Sequence, residues 1–198
     1  MSTSNNPDRL AKGFTLVELV VFIVIVSIAM AGVLGVLNYT NRHSVDPLIQ
    51  KQALAIAEAL TQEIQQVPLT YCDPNDDNSG VATAYAGCAT TTQQSLTGPS
   101  PSGESRYTQT NPFDNVADYG GFQMPAGACT GICRVGDSTS LNGLNGYRAT
   151  VSLANVGGSA AFPGLAADAA IEITVTVTGP ANTRVTLRGY RVRYAPRI

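Results

Sequence analysis

An apolar run near the amino end constrains this chain more than any other feature. From Phe14 to Leu37 there are 24 residues and one ionisable side chain, Glu18. As a helix rising about 1.5 Å per residue, the run spans roughly 36 Å, more than a hydrocarbon core of about 30 Å. It is also longer than the apolar core of a secretory signal peptide needs. Ahead of it stand residues 1–13, mostly polar, with Arg9 and Lys12 close to the apolar edge. Positive flanks stay cytoplasmic, so a single inner-membrane pass is expected, with the amino end inside and everything after Asn38 outside.

Two residues are unusual for a plain anchor. Gly13 stands where charge stops and apolarity begins, and Glu18 lies about one helical turn into the run. An acid deep in a bilayer costs about 2.5–3.5 kcal/mol on insertion scales and less near the interface, which makes it a functional candidate by default. Its bland role would be to snorkel to the headgroups. Cleavage after Gly13 would leave a new amine on Phe14, and Glu18 of a neighbouring copy could pair with it. At about 4 Å and an effective dielectric near 20, that attraction is of order 4 kcal/mol before desolvation is subtracted.

The stretch Gly13-Phe14-Thr15-Leu16-Val17-Glu18-Leu19 resembles the class III signal of type IV prepilins and type II secretion pseudopilins. The resemblance implies removal of a leader, residues 1–13, by prepilin peptidase. It further implies N-methylation of Phe14 and entry into a helical filament directed by Glu18. Other pilin subunits, a pilus assembly platform and the inner membrane are the partners implied, with the pilus at the cell surface as destination. Residues 46–60 and 189–196 are also similar to the D-type minor pilin of the mannose-sensitive haemagglutinin (MSHA) pilus.

The rest of the chain is expected to be one modest exported domain. Asp46 is a suitable cap and Pro47 fits a first helical position, so a kink or restart is expected there. Ile49, Ala53, Ile56, Leu60, Ile64 and Val67 then recur at helical spacing up to Pro68. Tyr147–Leu153, Ile171–Thr178 and Val185–Tyr194 alternate as strands, with a slip of phase at Arg188-Gly189 that suggests a bulge. The expected fold class is α+β and pilin-like, a long amino-terminal helix packed on a carboxy-terminal antiparallel sheet. Its parts are a leader (1–13), a transmembrane and assembly helix (14–38), an amphipathic helix (39–68) and an extracytoplasmic globular domain (69–198).

Residues 70–146 show little periodicity and are rich in Asp, Asn, Gly, Ser, Thr and Pro. All four Cys, at 72, 88, 129 and 133, follow the anchor, and an even count in an exported domain reads as disulfides. Cys72 with Cys88 closes a loop worth roughly 3 kcal/mol in the chain-entropy model, and Cys129 with Cys133 forms a small ring. The two other pairings remain open. The Cys spacings are poor for zinc. Asp73, Asn75 and Asp77 alternate like the start of an EF-hand, but Asn78 stands at position 6 and Ala84 at position 12. The default for this segment is turn chemistry, with no metal and no cofactor expected.

A net charge of −2 gives no nucleic-acid signature. Arg184, Arg188, Arg191, Arg193 and Arg197 cluster near the carboxy end and are read as a solvated strand face that discourages edge pairing. The one histidine, His43, is read as a solvated juxtamembrane residue, and no catalytic motif is present, so no enzyme is inferred. The expected role is a minor pilin of an MSHA-like type IV pilus. The alternatives are a type II secretion pseudopilin and a membrane-anchored adhesin or DNA-binding module.

Overall fold

A computed structural model describes residues 13–90 and 94–193, and gives residues 40–46 as backbone only. The leader before Gly13 and residues 194–198 with Arg197 lie outside the described residues, and Arg42, His43 and the Asp46 cap lie outside the described side chains. The molecule divides into two compact units, residues 1–45 and 46–198. A helix, α1, runs Leu16–Gln66 with Pro47 inside it, so the helical assignment continues through the expected restart. An interior proline removes one backbone donor while its fixed φ remains helical.

In the first unit the α1 residues Leu16–Tyr39 form the one helix, among the described residues, that is long and apolar enough to cross a membrane. None of that window is buried. Thr15 caps its start, its Oγ1 accepting the Glu18 backbone N–H at 3.2 Å.

In the second unit α1 buries one stripe, Ala53, Ile56, Ala57, Leu60 and Ile64. These residues follow the spacing that places i, i+3 and i+4 on one face. They share a core with the inward residues of an antiparallel sheet. The sheet is a meander of four strands in chain order: β1 Gln123–Met124, β2 Arg148–Asn155, β3 Ala170–Thr178 and β4 Arg184–Val192. Val151, Val175 and Leu187 face one another across three strands, as do Ala149, Val177 and Val185. The outer face carries Thr150, Thr174, Thr176 and Thr186 at the intervening positions, so period-two alternation separates core from solvent. With its N-terminal apolar helix and four-stranded antiparallel sheet, the fold is α+β and pilin-like.

The expected bulge is absent. β4 pairs with β3 without interruption, Ile173 opposite Gly189 and Ala170 opposite Val192. Tyr190 and Val192 therefore face outward, and Gly189 and Arg191 lie on the inner side. A Cβ on Gly189 would come within 2.9 Å of Gln65 Nε2, so the glycine lets this edge strand sit close to α1. Arg191 donates to the Val67 carbonyl just beyond the end of α1, at 3.2 Å. Such donors satisfy carbonyls that a helix end leaves orphaned. The arginines thus do not form one solvated face: Arg184 and Arg188 point outward, while Arg191 and Arg193 serve packing.

Candidate functional site

Gly13 and Phe14 precede α1 in non-helical backbone, and both are exposed. A Cβ on Gly13 would meet nothing within 4 Å. Glu18 is exposed in the first turn of α1, where the helix dipole favours an acid. The site is therefore a short non-helical lead-in, a capped helix start and one acid, followed by an exposed apolar rod.

A second group of functional candidates lies in the aperiodic region, which is tied together by polar contacts. Glu63 projects from α1 and takes a bidentate pair from Arg106, Nε to Oε1 and a terminal nitrogen to Oε2, both at 2.7 Å. Tyr119 Oη donates to the same Oε1 at 2.8 Å, and Arg106 also donates to the Cys133 carbonyl at 2.9 Å. Burial, and then the Glu63 charge, push the Tyr119 phenol far above its ordinary range, so it stays a donor. Sequence reading missed this triad, because Glu63 and Arg106 lie far apart in the chain and neither sits in a motif. Beside it, Ile56, Leu60, Met124 and Leu144 line an open apolar groove of about 380 Å³.

The structure pairs Cys72 with Cys88 and Cys129 with Cys133, leaving no free thiol. Inside the first loop Asp76 accepts from the backbone of Asn78, Ala89 and Thr90 and from the Thr90 hydroxyl. The Thr90 hydroxyl bond, followed by the backbone donors, holds the Asp76 carboxyl well below the usual range. These bonds make the segment a built turn. Asp77 is exposed and is not among the acids gathered around Asp73.

Asp73 converges instead with two residues that the sequence reading did not single out. One carboxylate oxygen from each of Asp73, Glu104 and Asp114 lies within 4.8 Å of the others. Burial, and then the Asp118 charge, push Glu104 up to about 9. Burial, and then Asp73, also raise Asp114. Asp118, in the capping box of the 3-10 turn Val116–Tyr119, accepts from the Asn115 and Asp114 backbone, and burial takes it to about 6. No spacing rule would have found the cluster, since its members come from three separate loops.

Near the carboxy end, Arg193 lies over the Tyr71 ring at 4.2 Å and donates to the Asp168 carbonyl and the Tyr85 hydroxyl. On the outer face Arg188 lies 3.5 Å from Glu172, which also accepts from Tyr190. Cation–π and carbonyl contacts give these arginines structural partners.

Comparison with known proteins bears on the first of these sites. Residues 8–34 match the family model described as the prokaryotic N-terminal methylation motif. This chain carries that motif. The match spans Gly13, Phe14 and Glu18, and it supports a type IV prepilin-like protein, a pilin- or pseudopilin-like subunit. It fits membrane anchoring through the apolar helix, and suggests assembly with other pilin subunits after encounter with prepilin peptidase. No curated protein and no solved structure matched the chain.

Proposed function

We propose that the chain is a minor pilin of an MSHA-like type IV pilus, cut after Gly13 by prepilin peptidase and methylated on the Phe14 amine. The methylation-motif match across residues 8–34 carries this reading, because it covers the cleavage junction and Glu18 together. The exposed apolar length of α1 supports it, since such a surface needs lipid or other helices around it. In the filament, Glu18 of one subunit pairs with the freed Phe14 amine of the next and fixes the axial register of neighbouring helices. The finer assignment to an MSHA-like D-type subunit rests on residues 46–60 and 189–196. A type II secretion pseudopilin would share every step of this mechanism, and the two readings separate on which filament the chain co-purifies with.

The test is co-expression with a prepilin peptidase, followed by mass spectrometry of the mature amino terminus. The expected product begins with N-methyl-Phe14. A chain that still begins at Met1 in the presence of active peptidase overturns the proposal. Glu18→Ala should leave membrane insertion intact and deplete the chain from sheared filaments. Undiminished incorporation would rule out the register role.

A further inference from the structure

Three acids converge in the loops of the second unit, and among the described residues no salt bridge pairs any of them with a cation. Asp73 is 3 % exposed and Glu104 9 % exposed. One oxygen of Asp73, Oδ1, accepts the Asn75 backbone N–H at 2.7 Å. One oxygen of Asp114, Oδ2, accepts the Asn75 side-chain amide at 3.0 Å. The remaining oxygens, Asp73 Oδ2 and Asp114 Oδ1, are buried with no hydrogen-bond partner, and so is Glu104 Oε2. Each of the three acids therefore carries a buried oxygen that no group outside the cluster reaches, Glu104 bonding only to Asp73 within it, and the three residues are the same ones whose oxygens cluster within 4.8 Å.

Leaving ionised oxygens buried and unpaired is expensive, so such a cluster needs a proton or a cation. The nearest arginine in sequence, Arg106, is committed to Glu63. Asp118 adds a further negative charge felt at Glu104, while its own oxygens are held by the Ser100, Asp114 and Asn115 backbone. An all-carboxylate donor set selects a hard cation. Two oxygens on one calcium, each at about 2.3–2.6 Å, stand at most roughly 4.6–5.2 Å apart, so oxygens within 4.8 Å of one another can share one such ion. Magnesium demands near-ideal octahedral geometry and keeps several waters, which a buried all-carboxylate set suits less well.

We propose that Asp73, Glu104 and Asp114 bind one calcium ion. The ion joins three loop segments: the start of the Cys72–Cys88 loop, the strap at Glu104 and the stretch leading into the 3-10 turn at Val116. It acts there as a reversible staple beside the permanent one at Cys72. The ion takes up the buried oxygens of Asp73, Glu104 and Asp114 that no other group reaches.

The experiment uses the purified full chain in detergent micelles, stripped with EGTA and then titrated with calcium chloride. For a Kd of about 10⁻⁴–10⁻³ M, typical of extracellular modules, 10 mM calcium at pH 8 should raise Tm by roughly 3–10 °C. Titration calorimetry should report one ion bound per chain. Glu104→Gln should lose the calcium shift. If that variant fails to fold, Asp114→Asn serves, with the same loss expected. A wild-type Tm that is equal in calcium and EGTA at pH 8 overturns the proposal, as does a full calcium shift in Glu104→Gln. A magnesium shift as large as that of calcium overturns the choice of ion.

Discussion

The two parts of α1 obey different solvents. Residues 16–39 carry Leu, Val, Ile and Phe on every side, and none of that window is buried within the chain. Residues 47–66 carry the same kinds of residue on one side only, where Ala53, Ala57 and Ile64 are fully buried against the sheet. A helix that is apolar all round must find lipid or other helices, while one with a stripe completes itself inside its own domain. Function follows the same division. In the first part the single acid, Glu18, has its proposed partner on another copy of the chain. In the second the acid Glu63 meets Arg106 and Tyr119 of the same chain at hydrogen-bond distance.

The largest effect that tests this contrast comes from the Glu63 pair. Arg106→Met leaves the partly buried Glu63 carboxylate without its cation, which should cost about 3–5 kcal/mol in denaturant unfolding of the full chain. Adding Glu63→Gln should recover most of that loss, because neither charge is then stranded. A loss below about 1 kcal/mol for Arg106→Met would mean that the pair is solvated and the aperiodic loops are not anchored to α1 through it.

A methyl-for-side-chain truncation in each half makes the contrast quantitative. Leu60→Ala removes a core residue and should cost about 2–5 kcal/mol. Val33→Ala, on the exposed apolar half, should leave domain stability within about 0.5 kcal/mol of wild type. Equal losses at the two sites would show that residues 16–39 are buried against their own domain, and would remove the argument for an external partner.

Sequence legibility splits along similar lines. The anchor, the amphipathic stripe from Ile49 to Ile64 and the strands around Val151 and Val175 were readable, because one solvent boundary imposes one period on each. β4 misled. Tyr190, Val192 and Tyr194 looked like the inward set, but β4 is an edge strand whose inner positions lie over the end of α1. There Gly189 yields space and Arg191 reaches a carbonyl, so polar residues point inward and apolar ones outward. The two-residue β1 is too short to show a period. In residues 70–146 order comes from pairings such as Glu63 with Arg106 and Asn115 with Thr70, whose partners are distant in sequence. Asp73 drew attention as a member of a local ligand run, yet its neighbours in space are Glu104 and Asp114.

The smallest effect concerns the start of α1, and it separates two roles of one residue. Thr15 accepts the Glu18 N–H, and Thr15-x-x-Glu18 has the spacing of a capping box. Glu18 thus has a local reason to stand in the first turn, besides any meeting with a neighbouring amine. Thr15→Val should cost about 1 kcal/mol at the helix end, read as roughly fivefold faster hydrogen exchange at the residue 18 amide in micelles, with the domain Tm unchanged. Glu18→Gln keeps a side chain suited to the box and removes only the charge, so exchange at that amide should stay near wild type while filament incorporation falls. If Glu18→Gln instead speeds exchange as Thr15→Val does and assembles normally, the acid is there to start the helix, and the register between subunits must come from the apolar surfaces alone.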